Sequence, residues 1–274
     1  MAAPTEEFPR RKRHGVFGPF ATPSTSENVI ESDGERNLLL SMLPETAYAS
    51  LSPHLEPVSL TARQVAWRPE GRIHALYFPR SAVFSLLTPM QRHSPVESAT
   101  IGYEGVIGVP VILGVGASHS LAVVQIDGEA ARVDAERFRE WLSQQDEETR
   151  LIFFRYAYVL LEQTAQSVAC NRKHALEERC ARWLLATRDR VSADEFALTH
   201  EFLAAMLGVR RASVTVALGL LQQEGYLTYS RGRLRVLDPV GLEQTSCECY
   251  RVVRAEQERV LGGGRLDTVR QDGD

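Results

Sequence analysis

Arg210, Arg211, Ser213 and Thr215 bring two cations and two hydroxyls to one short segment of the chain. Guanidinium groups pair with phosphates and guanine edges, and hydroxyls serve at either, so this set suits contact with duplex DNA. Such contact needs a rigid mount, and the surrounding stretch Thr199–Glu224 has the pattern of one. Phe202, Leu203 and Leu207 fall on one face of a first short helix, with small Ala204 where a second helix must approach closely. Gly208 offers the positive φ of a tight turn. Val214, Ala217, Leu218 and Leu221 then repeat at helical spacing in a second helix. The leading turn of that helix keeps the arginines and hydroxyls outside, as in a helix-turn-helix whose second helix enters a major groove. Thr199, at the head of the first helix, joins the contact candidates.

The residues that follow extend this surface. Gly225–Leu237 reads as two short strands turning at Arg231-Gly232-Arg233, a β-wing. Arg231, Arg233 and Arg235 alternate along it, and a period of two puts them on one side. Residues 172–240 carry a net charge of +3 in a chain of −4, leaving −7 elsewhere. A local basic segment on an acidic protein suits a nucleic-acid footprint.

The mount must itself be carried. At 274 residues and 44% hydrophobic content, two folded domains plus tails are expected. No apolar run reaches the length of a membrane span. Residues 1–34, with the basic run Arg10–Arg13 and no apolar stretch after it, read as a disordered tail without a secretory signal, and the expected location is the cytoplasm. Between residues 55 and 135 short apolar runs alternate with turn residues. Strands are expected at Gln64–Trp67, Ile73–Phe78, Ala82–Leu87, Ser98–Ile101, Ser120–Ile126 and Ala130–Val133, which predicts an antiparallel roll over 35–134. Helices around Asn37–Leu43 and Tyr48–His54 would pack beside it. Residues 135–171 read as one long helix. In it Leu151, Phe154, Tyr158, Leu161, Ala165 and Val168 recur at alternating spacings of three and four, a short seam for a homodimer, or else a stripe packed on the roll. The winged helix-turn-helix then fills 172–245, and 246–274, with Gly262–Gly264, reads as a tail. The fold class is therefore α+β.

The remaining reactive residues point to little chemistry. Cys170, Cys180, Cys247 and Cys249 lack a zinc-finger spacing, and Cys180 sits with Trp183 and Leu184 on an apolar face. Cys247-Glu248-Cys249 places two thiols where they could bind a metal or oxidise, but beyond the expected core. His54, His74, His93 and His119 are isolated, no His-x-His occurs, and Gly-x-Ser-x-Gly is absent. Neither an enzyme, a cofactor nor a metal is expected.

A roll, a long helix and a winged helix-turn-helix in that order, over residues 35–240, resemble the Crp/Fnr superfamily of bacterial transcription regulators. The most specific part is Thr199–Arg235, with Leu-Gly-Val-Arg-Arg-Ala-Ser-Val-Thr and the arginine-bearing wing. The resemblance implies a homodimer that reads palindromic promoter sites in double-stranded DNA and engages RNA polymerase. It also implies a roll that senses a signal through a phosphate cassette, which falls on Gly108–Ser120 here. Gly108, Val109, His119 and Ser120 are the corresponding ligand candidates. Val109 stands where cyclic-AMP-binding members have the Glu that holds the ribose hydroxyl, and His119 where they have the Arg that neutralises the phosphate. Losing a charge-assisted phosphate contact argues against cyclic AMP. No cysteine precedes Cys170, which argues against the N-terminal iron–sulfur centre of oxygen-sensing members, and His74 and His93 lack a haem motif. The effector stays unnamed. The alternative is a dimeric ligand sensor that signals through proteins rather than DNA.

Overall fold

Seven short strands between Glu56 and Asp134 close into the roll that the alternating pattern predicts. A computed structural model describes residues 37–91, 94–191 and 193–262; Arg10–Arg13, His93 and the N-terminal tail lie outside these. One sheet orders β1 (Glu56–Leu60), β7 (Gly128–Asp134) and β3 (Ala75–Pro79), and the other orders β2 (Val65–Trp67), β6 (Leu121–Ile126), β4 (Val83–Thr88) and β5 (Val96–Ile101). All pairings are antiparallel. Six of these strands overlap the expected runs, and β1 is additional. Helices α1 (Leu38–Ser41) and α2 (Glu45–Leu51) lie before the roll, and a single helical turn, α3 (Val109–Ile112), sits within it.

The expected long helix is two helices. α4 (Ala135–Ser143) ends at Gln144, and α5 (Glu147–Lys173) starts afresh at Asp146, whose carboxylate accepts from the Thr149 N–H at 2.8 Å. A helix N-cap in mid-run terminates what apolar periodicity alone reads as continuous. The break lets α4 fold back, and Phe138 meets Phe153 of α5 edge-on at 5.3 Å, with Trp141 and Phe78 completing the cluster.

α6 (Leu176–Val191), β8 (Glu195–Ala197), α7 (His200–Leu207), α8 (Arg211–Gln223), β9 (Leu227–Ser230), β10 (Arg233–Val236) and α9 (Pro239–Thr245) form the C-terminal domain. β10 pairs on both edges, giving the order β8-β10-β9. The stretch from 246 is not a tail as far as Leu261: α10 (Cys249–Leu261) is a regular helix laid along α5, with Tyr250, Val260 and Leu261 buried. Its apolar residues fill gaps on two different neighbours, so no single-face pattern announces it.

The C-terminal domain is docked on the roll. Its core gathers Trp183, Leu184, Leu203, Leu218 and Leu234 with Leu87, Leu121 and Val123 of the roll. Polar ties cross the same seam. Glu97 of β5, half-buried, accepts from Trp183 Nε1 at 2.7 Å and from Ser85 Oγ, and desolvation pushes its carboxyl pKa up. Gln125 donates to Thr187 at 3.1 Å, and Arg190 pairs with Glu104 at 2.7 Å with both side chains buried. No described helix is long and apolar enough to cross a membrane alone.

Candidate nucleic-acid interface

The helix pair is built from its caps. Thr199 Oγ1 accepts from the Phe202 N–H at 3.1 Å and starts α7. Gly208 ends it in the left-handed region at φ 65°, returning its N–H to α7 carbonyls, a conformation in which a Cβ is strained. α8 then leaves at 107° to α7. The facing side chains Leu203, Leu207, Val214, Ala217, Leu218 and Leu221 are buried, which fixes the angle through packing.

That packing leaves one face of α8 in solvent. Arg210 is its N-cap and Arg211 its first residue; both are exposed, and neither forms an ion pair among the described residues. Ala212 and Val216 are exposed beside them, Val216 at 61%. Ser213 is half-buried. Thr215 is exposed, but its hydroxyl is already engaged, lying 2.8 Å from His200 Nδ1 and 3.1 Å from the Arg211 carbonyl. The His200 ring rests 4.4 Å from that of Tyr229 in the wing. Burial, aided by Arg211, lowers its pKa. His200 thus ties α7, α8 and β9 together, a role no local pattern in the sequence indicates.

The wing arginines divide. Arg231 and Gly232 both take positive φ, 50° and 79°, the tight hairpin turn that matches strand twist, and Arg231 is exposed at its tip. Arg231 therefore belongs to the turn. Arg233 and Arg235 do share a side, as the period of two predicts, but both grip Glu195 of β8, at 2.5 and 2.8 Å. Those hydrogen bonds hold the Glu195 carboxyl below the usual carboxylate range. The strand β8 that brings Glu195 there has only three residues, too few to show a pattern.

Along α5, Phe154, Tyr158, Leu161, Ala165 and Val168 are exposed and Leu151 half-buried, while Ile152, Phe153, Tyr156, Val159 and Leu160 pack on the roll. The seam and the core-facing stripe are thus different faces of one helix. Leu161 and Val168 are 64% and 68% exposed, while the Tyr158 hydroxyl bonds Glu256 of α10 within the chain.

In the roll, Gly108, Val109 and Ser120 line a cavity of about 160 Å³ with Trp67, Leu86 and Ser118. His119 is not part of it; its side chain points to solvent near Glu70, 3.7 Å away. The volume is below the roughly 300–1,000 Å³ of small-molecule sites. A larger cleft of about 760 Å³ opens between the roll, α6 and α10, edged by Arg182, Asp189, Arg190 and Arg254.

Residues 178–245 match the family model of the Crp-like helix-turn-helix domain. No curated protein matches the chain. Solved structures do. A Crp/Fnr-family regulator of Eubacterium rectale aligns at 17% identity over 76% of this chain and 96% of its own, with a TM-score of 0.59. FixK2 of Bradyrhizobium japonicum aligns at 15% over 70% and 98%, TM-score 0.60. The c-di-GMP-responsive global regulator CLP of Xanthomonas campestris aligns at 15% over 70% and 99%, TM-score 0.58. The chain thus carries a Crp-like helix-turn-helix domain, α6 to α9, on the α+β fold of the Crp/Fnr transcription regulators.

Proposed function

We propose that the protein is a sequence-specific DNA-binding transcription regulator that acts as a homodimer on palindromic sites and needs no cyclic AMP. The observation that carries this is the exposed leading turn of α8, with Arg210 and Arg211 unpaired among the described residues on a Crp-like helix-turn-helix. In this reading Arg211 makes the bidentate contact to a guanine, and the exposed Arg210 and Arg231 meet phosphates. Val216 and Ala212 offer methyl groups to thymine, one turn apart on the same face.

Two copies are needed for a palindrome, and the exposed α5 seam supplies a twofold surface. From Leu151 to Val168 it runs about 26 Å at helical rise, a surface along which the same helix of a second copy can pair. Among the described residues no charged group lines the small roll cavity, which supports independence from cyclic AMP, because a buried cyclic phosphate requires a cationic partner. RNA polymerase is the downstream partner this reading implies.

Selection of random duplexes by the purified, effector-free protein tests the proposal. The expected result is a palindrome with half-sites one turn apart, bound with steep salt dependence. Failure to enrich any palindrome, or weak salt-insensitive binding, overturns it and favours signalling through protein partners.

A further inference from the structure

Cys170, His174, Cys247 and Cys249 converge although 73 residues separate His174 from Cys247. One ligand atom from each lies within 4.8 Å of every other. Cys170 and His174, four apart, share the last turn of α5, and Cys247 and Cys249 flank the corner between α9 and α10. We propose that these four side chains form a tetrahedral Cys₃His site for one zinc ion, clasping the point where the chain enters the DNA-binding domain to the point where it leaves.

The spacing suits a single ion. Zn–S bonds of about 2.3 Å put tetrahedral ligand atoms about 3.8 Å apart, a little less for an S–N edge. Cys170 Sγ and Cys247 Sγ are 3.5 Å apart, and Cys249 Sγ is 3.4 Å from His174 Nδ1. Four ligand atoms so close leave no room for inorganic sulfides between them, so one ion fits and an iron–sulfur cluster does not.

The surroundings are those of a metal site. His174 Nε2 lies 3.1 Å from Glu248 Oε1; a carboxylate only accepts, so Nε2 carries the proton and the Nδ1 lone pair faces the sulfurs. Metal-bound histidines are held this way by a carboxylate. Gln166 Nε2 donates to Cys249 Sγ at 3.0 Å. Cys249 begins the 13-residue α10, whose N-terminal dipole favours a thiolate. Three thiolates around Zn²⁺ leave one negative charge, and Arg182 acts on Cys170 and Cys247 to offset it.

Ordinary core packing does not account for the cluster. The three sulfurs form a buried group apart from both apolar cores. Cys180 shows the contrast: it lies within the apolar core of the C-terminal domain, with Trp183 and Leu184.

The test reads metal on the full-length protein, so its failure leaves the DNA-binding reading untouched. Protein expressed with zinc and purified under reductant should hold about one zinc per chain by elemental mass spectrometry. Cobalt added to the chelator-stripped protein should give tetrahedral visible bands and thiolate-to-cobalt charge transfer. Cys247→Ser combined with Cys249→Ser should lose the metal, Cys180→Ser should keep it, and Glu248→Gln should weaken affinity by about 10–100-fold. A metal-free wild-type protein, a cobalt spectrum without thiolate charge transfer, undiminished zinc in the double variant, or a Cys170–Cys247 disulfide in freshly reduced protein would overturn the proposal.

Discussion

The arginines of α8 and those of the wing carry the same charge and differ in what holds them. Arg210 and Arg211 are unpaired among the described residues, whereas Arg233 and Arg235 share one carboxylate, Glu195. Arg190 marks the opposite extreme, buried against Glu104 at the seam with the roll. A guanidinium that meets no acid within its own chain keeps its full charge for a phosphate or a base. One that already holds a carboxylate must give that up first, and a buried one is committed to the fold. Counting basic residues over 172–240 conflates these three, and only the unpaired ones support the footprint the net charge suggests.

The largest effect expected from this contrast is on stability. Arg190→Met leaves the Glu104 carboxylate buried without its partner, at a cost of about 3–5 kcal/mol. Urea unfolding followed by tryptophan fluorescence measures it. The double change Arg190→Met with Glu104→Leu should recover most of the loss, because the penalty lies in the orphaned charge. A single variant as stable as the wild type would show that the pair contributes nothing at this seam.

On DNA, Arg211→Ala should weaken binding to the selected site by about 1–3 kcal/mol and relax preference at one base position. Arg210→Ala should instead lower affinity evenly across sequences and flatten the log–log salt dependence by about one unit. Fluorescence anisotropy over a salt series separates the two. Unchanged base preference in both variants would mean that neither reads a base.

Much of this arrangement is legible before any coordinates. The Gly208 turn, the buried stripe of α8 and six of the seven roll strands all follow from local periodicity, because each side chain's environment is set by neighbours within one element. What escapes is non-local or short. The Asp146 cap interrupts an apolar repeat that otherwise reads straight through. β8 is three residues long, so Glu195 gives no sign that it will meet the wing. The cysteine–histidine cluster draws two ligands from each side of an entire domain, and neither pair alone has a recognised spacing. His119 sits at the cassette position but on a loop that turns it outward, which register along the sequence does not encode.

Glu195→Gln sharpens the comparison from the wing side. Removing the carboxylate's charge frees Arg233 and Arg235, so DNA affinity should rise at low salt and the salt slope should steepen by about one to two units. Because the Glu195 carboxyl is held below its ordinary range, any stability it lends is complete above the unfolded-state value and is lost as pH falls through the depressed one. The variant should therefore lack that acid-side step in its stability profile. An unchanged salt slope would place the wing away from the DNA backbone.

Thr215 is the smallest case and the most discriminating. It lies on the exposed face of α8 one turn after Arg211, where the sequence leads one to expect a DNA contact, yet its hydroxyl is bound to His200 and to its own helix. Thr215→Val keeps the shape and removes the hydroxyl, so DNA affinity should stay within about twofold while the fold loses about 1 kcal/mol from the orphaned His200 Nδ1. The pH profile gives a second reading of the same contact. Burial lowers the His200 pKa, so the stability tied to its neutral form is complete above the ordinary imidazole range and is lost as pH falls through the lowered value. Thermal unfolding between neutral and mildly acid pH should show that loss in the wild type and should change in Thr215→Val. A large loss of DNA affinity with stability unchanged would mean that Thr215 leaves His200 to meet the DNA, and that hydroxyls as well as arginines must be free to read it.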